Sequence, residues 1–252
     1  IVVATSGDTG AAAIDAIKGK DNVNIFVLHP NNRISKVQRK LMTTGEEKNV
    51  FNIAIEGNFD DCQNLVKAMF ADKSFSNEIK MSGVNSINWA RIIAQSVYYF
   101  YSYFLVKDIN KPINFSVPTG NFGVVYAGYF AKKIGLPINK FVVATNQNDI
   151  LHRAISNGRY DVEKVAETIS PSMDIQLASN FERLIYDLND HNDKKTIEAM
   201  RDIKENGKYL ISKENLKKIN AHFLSSSMNE DEILNIVKNV YTKFNIILDP
   251  HT

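Results

Sequence analysis

The chain has a single cysteine, Cys62, in 252 residues. That excludes a disulfide framework and a cysteine-based zinc site, and it suits a reducing compartment. An excess of one charge is missing too: 30 basic and 28 acidic residues leave a net charge of +2, with no lysine or arginine block to track a nucleic acid. Long apolar runs are absent. The longest, Tyr98 to Val106 preceded by Ile92 and Ile93, is interrupted by Gln95, Ser96 and Ser102, too short and broken to span a bilayer, so it reads as a buried helix. The histidines, His29, His152, His191, His222 and His251, show no i,i+3 or i,i+4 pairing, so no metal site is expected. The opening IVVATSGDTG lacks the basic start and cleavage pattern of a signal peptide and begins inside a strand pattern, with isoleucine at position 1. The expectation is a soluble, cytoplasmic protein, long enough for one large domain or two small ones.

What is present is an alternation of short β-rich runs with helical runs, which predicts an α/β fold with a largely parallel sheet. Strands are expected at Ile1 to Ala4, Val23 to Leu28, Val50 to Ile55, Ile113 to Val117, Phe141 to Ala144 and Ile246 to Leu248. Helices are expected over Thr9 to Lys18, Ser35 to Thr44, Phe59 to Ala71 with Cys62 on its apolar side, Ile87 to Val106, and Phe122 to Ile134. From about residue 150 to 244 strand-like runs vanish and charge and asparagine density rise, so this stretch reads as a helical insertion or flank. The aromatic residues from Tyr98 to Phe104 fall on every face of their helix and read as core.

Two segments run in parallel. Ile1 to Lys20 gives apolar strand, Thr5-Ser6-Gly7-Asp8-Thr9-Gly10, then an alanine-rich helix; Asn114 to Gly135 gives apolar strand, Pro118-Thr119-Gly120-Asn121-Phe122-Gly123, then an apolar helix. Any two βαβ units look alike, and two related sheet halves with a ligand loop each are the sharper alternative. A strand entering a Gly-x-x-Gly turn before a helix leaves the first helical N–H groups unpaired beyond the strand end, where glycine lets an anion approach closely. Nucleotide readings fail, because there is neither Gly-x-Gly-x-x-Gly nor a phosphate-loop lysine motif, and the second strand ends in Leu28-His29-Pro30 without an acidic residue. Two anion cradles without nucleotide markers fit a small phosphorylated cofactor beside a small anionic substrate.

The runs ATSGDTGAAAIDAI (Ala4 to Ile17), NSINWAR (Asn85 to Arg91), SVPTGNFG (Ser116 to Gly123), ATNQNDIL (Ala144 to Leu151) and DPHT (Asp249 to Thr252) together resemble the threonine synthases, pyridoxal-phosphate enzymes of fold type II, the tryptophan-synthase-β-like fold. The resemblance covers nearly the whole chain and is weakest from Arg159 to Lys243. It implies parallel sheets flanked by helices, with a partial small mobile domain over residues 1–84 and a partial large domain over 85–252. It implies the cofactor pyridoxal 5'-phosphate, its phosphate held by Thr119, Gly120, Asn121, Phe122 and Gly123. It places the substrate's α-carboxylate at Ser6, Gly7, Asp8, Thr9 and Gly10, and other substrate contacts at Asn85, Ser86, Asn88 and Arg91. Arg91 is matched to the phosphate of O-phosphohomoserine, since guanidinium pairs with phosphate bidentately, although an ordinary helical ion pair would explain it as well. Asn146, Asn148 and Asp149 match a strand-end motif near the cofactor and count among the substrate-binding residues, although turn formation and helix capping explain Asn and Asp there almost as well.

The implied reaction converts O-phospho-L-homoserine and water to L-threonine and phosphate, in amino-acid biosynthesis. The family's Schiff-base lysine is expected upstream of Ile1 and its ring-nitrogen partner beyond Thr252, so the sequence reads as a fragment with no catalytic lysine of its own. A threonine dehydratase or cysteine synthase of the same superfamily is the neighbouring alternative, and a non-catalytic anion-binding module the more distant one. The Asp in Ser-Gly-Asp-Thr-Gly and the Asn-Ser-Ile-Asn run favour threonine synthase. The sequence leaves monomer and homodimer open.

Overall fold

The computed structural model describes residues 1–5, 7–85, 88–106 and 111–252. The chain divides into two compact units, Ile1–Asn88 and Trp89–Thr252.

The first unit runs β1 (Val2–Ala4), α1 (Asp8–Ile17), β2 (Ile25–Pro30), α2 (Lys36–Thr43), β3 (Val50–Ile55), α3 (Phe59–Ala71) and α4 (Lys73–Glu78). Its three strands form a parallel sheet in the order β1-β2-β3, with Val3 opposite Val27 and Leu28 opposite Ile53. Successive strand side chains point to opposite faces, and the core divides accordingly. Val3, Ile25 and Val27 pack with Ala13 and Ile14 of α1 and Met42 of α2, whereas Val2 and Leu28 pack with Cys62 of α3. Burial on both faces is what a parallel sheet requires, and it explains the unbroken apolar runs of β1 and β2, whereas β3 at the edge has no fully buried residue. Asn58 and Asp61 close a capping box that starts α3. Helix α4 was not anticipated; its cue is Asp72, whose side chain caps the Phe75 N–H.

The second unit runs α5 (Trp89–Leu105), β4 (Ile113–Pro118), α6 (Gly123–Lys133), β5 (Ile138–Thr145), α7 (Ile150–Asn157), β6 (Arg159–Asp161), a 3-10 turn (Pro171–Met173), α8 (Phe181–Leu188), α9 (Asp193–Asn206), β7 (Lys208–Leu210), α10 (Lys213–His222), β8 (Phe223–Ser227) and α11 (Glu230–Phe244). A second parallel sheet has the order β4-β5-β8, and β6 pairs antiparallel with β7. Its core joins Phe141 and Val143 of β5 to Val125 and Ala127 of α6, Leu151 and Ile155 of α7, and Phe181 and Leu184 of α8.

Three expectations are corrected here. Residues 150–244 are not purely helical: β8 adds a parallel edge strand beside β5, Phe141 opposite Phe223. Only Phe223 of Phe-Leu-Ser-Ser-Ser is fully buried, since an edge strand needs less apolar surface than a central one. Ile246 to Leu248 form no strand. The aromatic helix α5 is not buried all round: Ile92, Ser96, Tyr99 and Tyr103 form one inward stripe at helical spacing, while Val97, Tyr98, Tyr101 and Phe104 stay exposed. Among the described residues no helix is long and apolar enough to cross a membrane.

Candidate active site

In the first unit the chain leaves β1 at Ala4 and enters α1 at Asp8. Thr5 is buried and organises the turn: its Oγ1 accepts the N–H of Gly7 and of Gly10, both at 2.9 Å. Those two amides are therefore committed to the fold. Gly7, the N-cap, has φ 141°, a left-handed conformation that side-chain-bearing residues rarely adopt, and it offers no side chain of its own to cap the helix, so Thr5 takes the Gly10 amide instead. Thr9 keeps a first-turn amide with no acceptor inside the helix. Gln38 Nε2, reaching across from α2, donates to Asp8 Oδ1 at 2.7 Å. Ser6 and Ser86 lie outside the described residues. Asn85 and Asn88 are exposed, and the Asn88 N–H donates to the Asn85 carbonyl.

In the second unit the chain leaves β4 at Pro118. Thr119 is buried, with its N–H on the Ala144 carbonyl and its Oγ1 accepting the Phe122 N–H at 3.1 Å. Phe122 is the N-cap of α6 at φ 62°, and its ring is fully buried against Phe181 and Phe223 at centroid distances of 5.3 and 5.8 Å. Burying that ring holds the backbone in a conformation a bulky residue otherwise avoids. Asn121 is clamped from the segment before α8: its carbonyl accepts from the N–H and Nδ2 of Asn180, and its Oδ1 accepts from Ser179 Oγ at 3.1 Å. Neither Ser179 nor Asn180 carried a sequence motif.

Helix α6 begins with no side-chain cap and no acidic residue in its first turn, and its basic residues, Lys132 and Lys133, stand in the last turn. The amides of Gly123, Val124 and Val125 are thus open donors at the positive end of the helix dipole. A phosphoryl group fits this cradle in charge and in donor type. Gly120 is needed for close approach, because a Cβ there would fall 3.0 Å from the Ser172 carbonyl oxygen and 2.8 Å from Ile175 Cδ1. The C-terminal Asp249-Pro250-His251-Thr252 run reaches the same wall, with His251 Nε2 accepting the Ser172 N–H at 3.3 Å and His251 Nδ1 2.6 Å from Asp249 Oδ1.

The remaining predicted residues divide. Asn146 and Asn148 are buried, and their amides are engaged within the protein. Both donate to Asp174 Oδ1, at 2.8 and 2.9 Å; Asn146 also reaches Thr168 and Ser170, and Asn148 the Ala166 carbonyl. Asp149 is the N-cap of α7 and accepts from Arg153 Nε at 2.8 Å. Asn146 makes a turn bond at the carboxyl end of β5, its Oδ1 accepting the Asn148 N–H at 2.9 Å, whereas the Asp149 side chain makes no cap bond to α7. Arg91 is different. It is half-buried in the first turn of α5, its Nη1 is buried with no protein partner among the described residues, and burial pushes its guanidinium below the ordinary arginine range. An orphaned buried donor of full positive charge calls for an anion.

Parallel sheets flanked by helices and an uncapped glycine loop at a strand's carboxyl end define the class: residues 1–215 match the model of the pyridoxal-phosphate dependent enzymes, and the chain belongs to that family. Along its whole length it is 48% identical to the threonine synthase of Pseudomonas aeruginosa and 45% identical to that of Saccharomyces cerevisiae, covering 54% and 52% of those proteins. The fold is fold type II. It superposes on the pyridoxal-phosphate-bound threonine synthase of Brucella melitensis with a TM-score of 0.92 at 48% identity, over 99% of this chain and 54% of that one. The chain spans about half the length of the curated relatives it matches.

Proposed function

We propose that the chain acts as part of a threonine synthase, converting O-phospho-L-homoserine and water to L-threonine and inorganic phosphate with pyridoxal 5'-phosphate as cofactor. The observation that carries this reading is the Gly120–Gly123 cradle, in a chain that aligns over its whole length with about half the length of the threonine synthases it matches. The turn Gly120-Asn121-Phe122-Gly123 holds the cofactor phosphate, on the amides of Gly120, Asn121 and Gly123, while the Phe122 amide is committed to Thr119 Oγ1, which fixes the turn from below. When bound, the cofactor supplies an electron sink for negative charge developing on the substrate.

The loop from Ser6 to Gly10 receives the substrate's α-carboxylate. The Gly7 and Gly10 amides are held by Thr5, so the Thr9 amide and hydroxyl are the groups we assign to the ligand. Arg91 pairs with the substrate phosphate, an anion suited to its buried Nη1, which has no protein partner among the described residues. Asn85, Ser86 and Asn88 are assigned to the same substrate. Asn146, Asn148 and Asp149 are assigned an indirect part, keeping the end of β5 rigid beside the cofactor loop. No lysine stands in either loop, and none of this chain's lysines is assigned the proton-transfer role. The reaction is placed in the cytoplasm, which the lone free thiol of Cys62 suits.

The test is to supply the holoenzyme with O-phosphohomoserine and measure phosphate and threonine together. Equal amounts of both are expected. Absence of phosphate release, or formation of a 2-oxo acid in place of threonine, removes the assignment.

A further inference from the structure

An anion-binding loop that contains an aspartate has an electrostatic difficulty, because the Asp8 carboxylate repels the ligand the loop is built to receive. The fold answers it from α2. Gln38 is 6% exposed, and its Nε2 donates to Asp8 Oδ1 at 2.7 Å. The same side chain fills the space over the adjoining glycine: a Cβ on Gly7 would lie 2.5 Å from Gln38 Cδ and 2.9 Å from Gln38 Cβ. Ser35 caps α2 by accepting the N–H of Gln38 itself at 3.1 Å, so the residue is fixed at its backbone as well as at its tip. Gly7 and Gln38 are thus a matched pair, and Asp8 is held by a donor thirty residues along the chain.

We propose that Gln38 is a positioning residue for the substrate loop: it holds the Asp8 carboxylate on its amide and thereby keeps the Thr9 amide presented to the substrate's carboxylate. The inference rests on the functional reading above for the identity of the substrate, but the mechanical part stands on the loop alone. Gln38 touches no reacting atom, so its loss should act on substrate binding far more than on turnover.

In the holoenzyme, Gln38→Ala and Gln38→Glu are each expected to raise KM for O-phosphohomoserine about tenfold, the loss of one hydrogen bond to a charged group, with a much smaller change in kcat and unchanged cofactor absorbance. Hydrogen exchange at the Thr9 amide, measured without substrate, is expected to accelerate in both variants. The double variant Asp8→Asn with Gln38→Glu exchanges donor and acceptor, and is expected to bring KM and exchange back toward the parent values, a coupling that a merely structural role would not produce. Unchanged KM and unchanged Thr9 exchange in the single variants overturn the proposal, as does a double variant no better than Gln38→Glu alone. If Gln38→Ala fails to fold, the Gln38→Glu and double variants decide it. If the parent enzyme releases no phosphate from O-phosphohomoserine, the functional reading fails by itself, and the exchange measurement still judges Gln38.

Discussion

Asn180 holds the backbone carbonyl of Asn121 twice, through its own N–H at 3.1 Å and through its side-chain Nδ2 at 3.2 Å. Asn180 is fully buried, so the pair has no water to fall back on. Asn180→Ala leaves the turn held by one bond fewer, a loss of about 1–3 kcal/mol for a buried polar group. The expected outcome is cofactor affinity weakened about tenfold with the far-ultraviolet circular dichroism unchanged, read by equilibrium titration with pyridoxal phosphate.

Gly120 tolerates no side chain without movement of the Ser172 backbone, since its Cβ would meet that carbonyl at 3.0 Å. Gly123 is less constrained, its nearest neighbour being Asn180 Nδ2 at 3.2 Å. Gly120→Val should destabilise the second unit by about 1–3 kcal/mol through overpacking and abolish cofactor absorbance. Gly123→Ala should weaken binding less. Full cofactor loading in Gly120→Val would remove this turn as the phosphate cradle.

Arg91→Ala should raise KM for O-phosphohomoserine about tenfold or more, while pyridoxal phosphate affinity stays the same. Because Arg91 is half-buried and its Nη1 has no protein partner among the described residues, removing it should leave the melting temperature of the ligand-free protein unchanged or higher. Arg91→Lys should recover only part of the affinity, a point charge replacing a bidentate fork. An unaltered KM in Arg91→Ala takes the residue out of the site.

Burial raises the phenol groups of Tyr99, Tyr126 and Tyr160 well above the ordinary value near 10, with Asp187 adding to the effect at Tyr126. For an acid whose folded-state value is raised, the native state keeps its proton while the unfolded chain gives it up. The stabilisation is complete below the unfolded value and is lost as pH climbs above about 10 toward the folded values. An ultraviolet tyrosinate titration should show these three rings ionising only with alkaline unfolding. Smooth ionisation of all the tyrosines before unfolding contradicts this.

Strands β1 and β2 were legible because both faces of a parallel sheet are buried, and continuous runs such as Ile-Phe-Val-Leu announce that condition. The two glycine loops were legible because strand, glycine turn and helix are contiguous in sequence. Strand β8 was not, because Phe-Leu-Ser-Ser-Ser becomes a strand only through the ladder β5 offers it. Gln38 and Asn180 left no trace for the same reason: each acts on a loop far away in the chain, and neither period nor motif encodes such a partner. For α5 the signal was present but saturated. With aromatics on every face, only packing distinguishes the stripe of Tyr99 and Tyr103 from the exposed Tyr98 and Tyr101.

The place of β8 also sets an order of assembly. Its hydrogen bonds to β5 close a loop that contains everything from residue 146 to residue 222, and closing so long a loop costs entropy before any pairing is gained. Helices α7 to α10 are therefore expected to form locally first, with the sheet completed once Phe223 lies beside Phe141. Until then β5 presents an unpaired parallel edge to other chains. Ser227 Oγ on the Asn146 carbonyl at 2.9 Å spans the same closure, so the strand end nearest the cofactor loop is expected to become rigid late in folding, which pulsed hydrogen exchange would check.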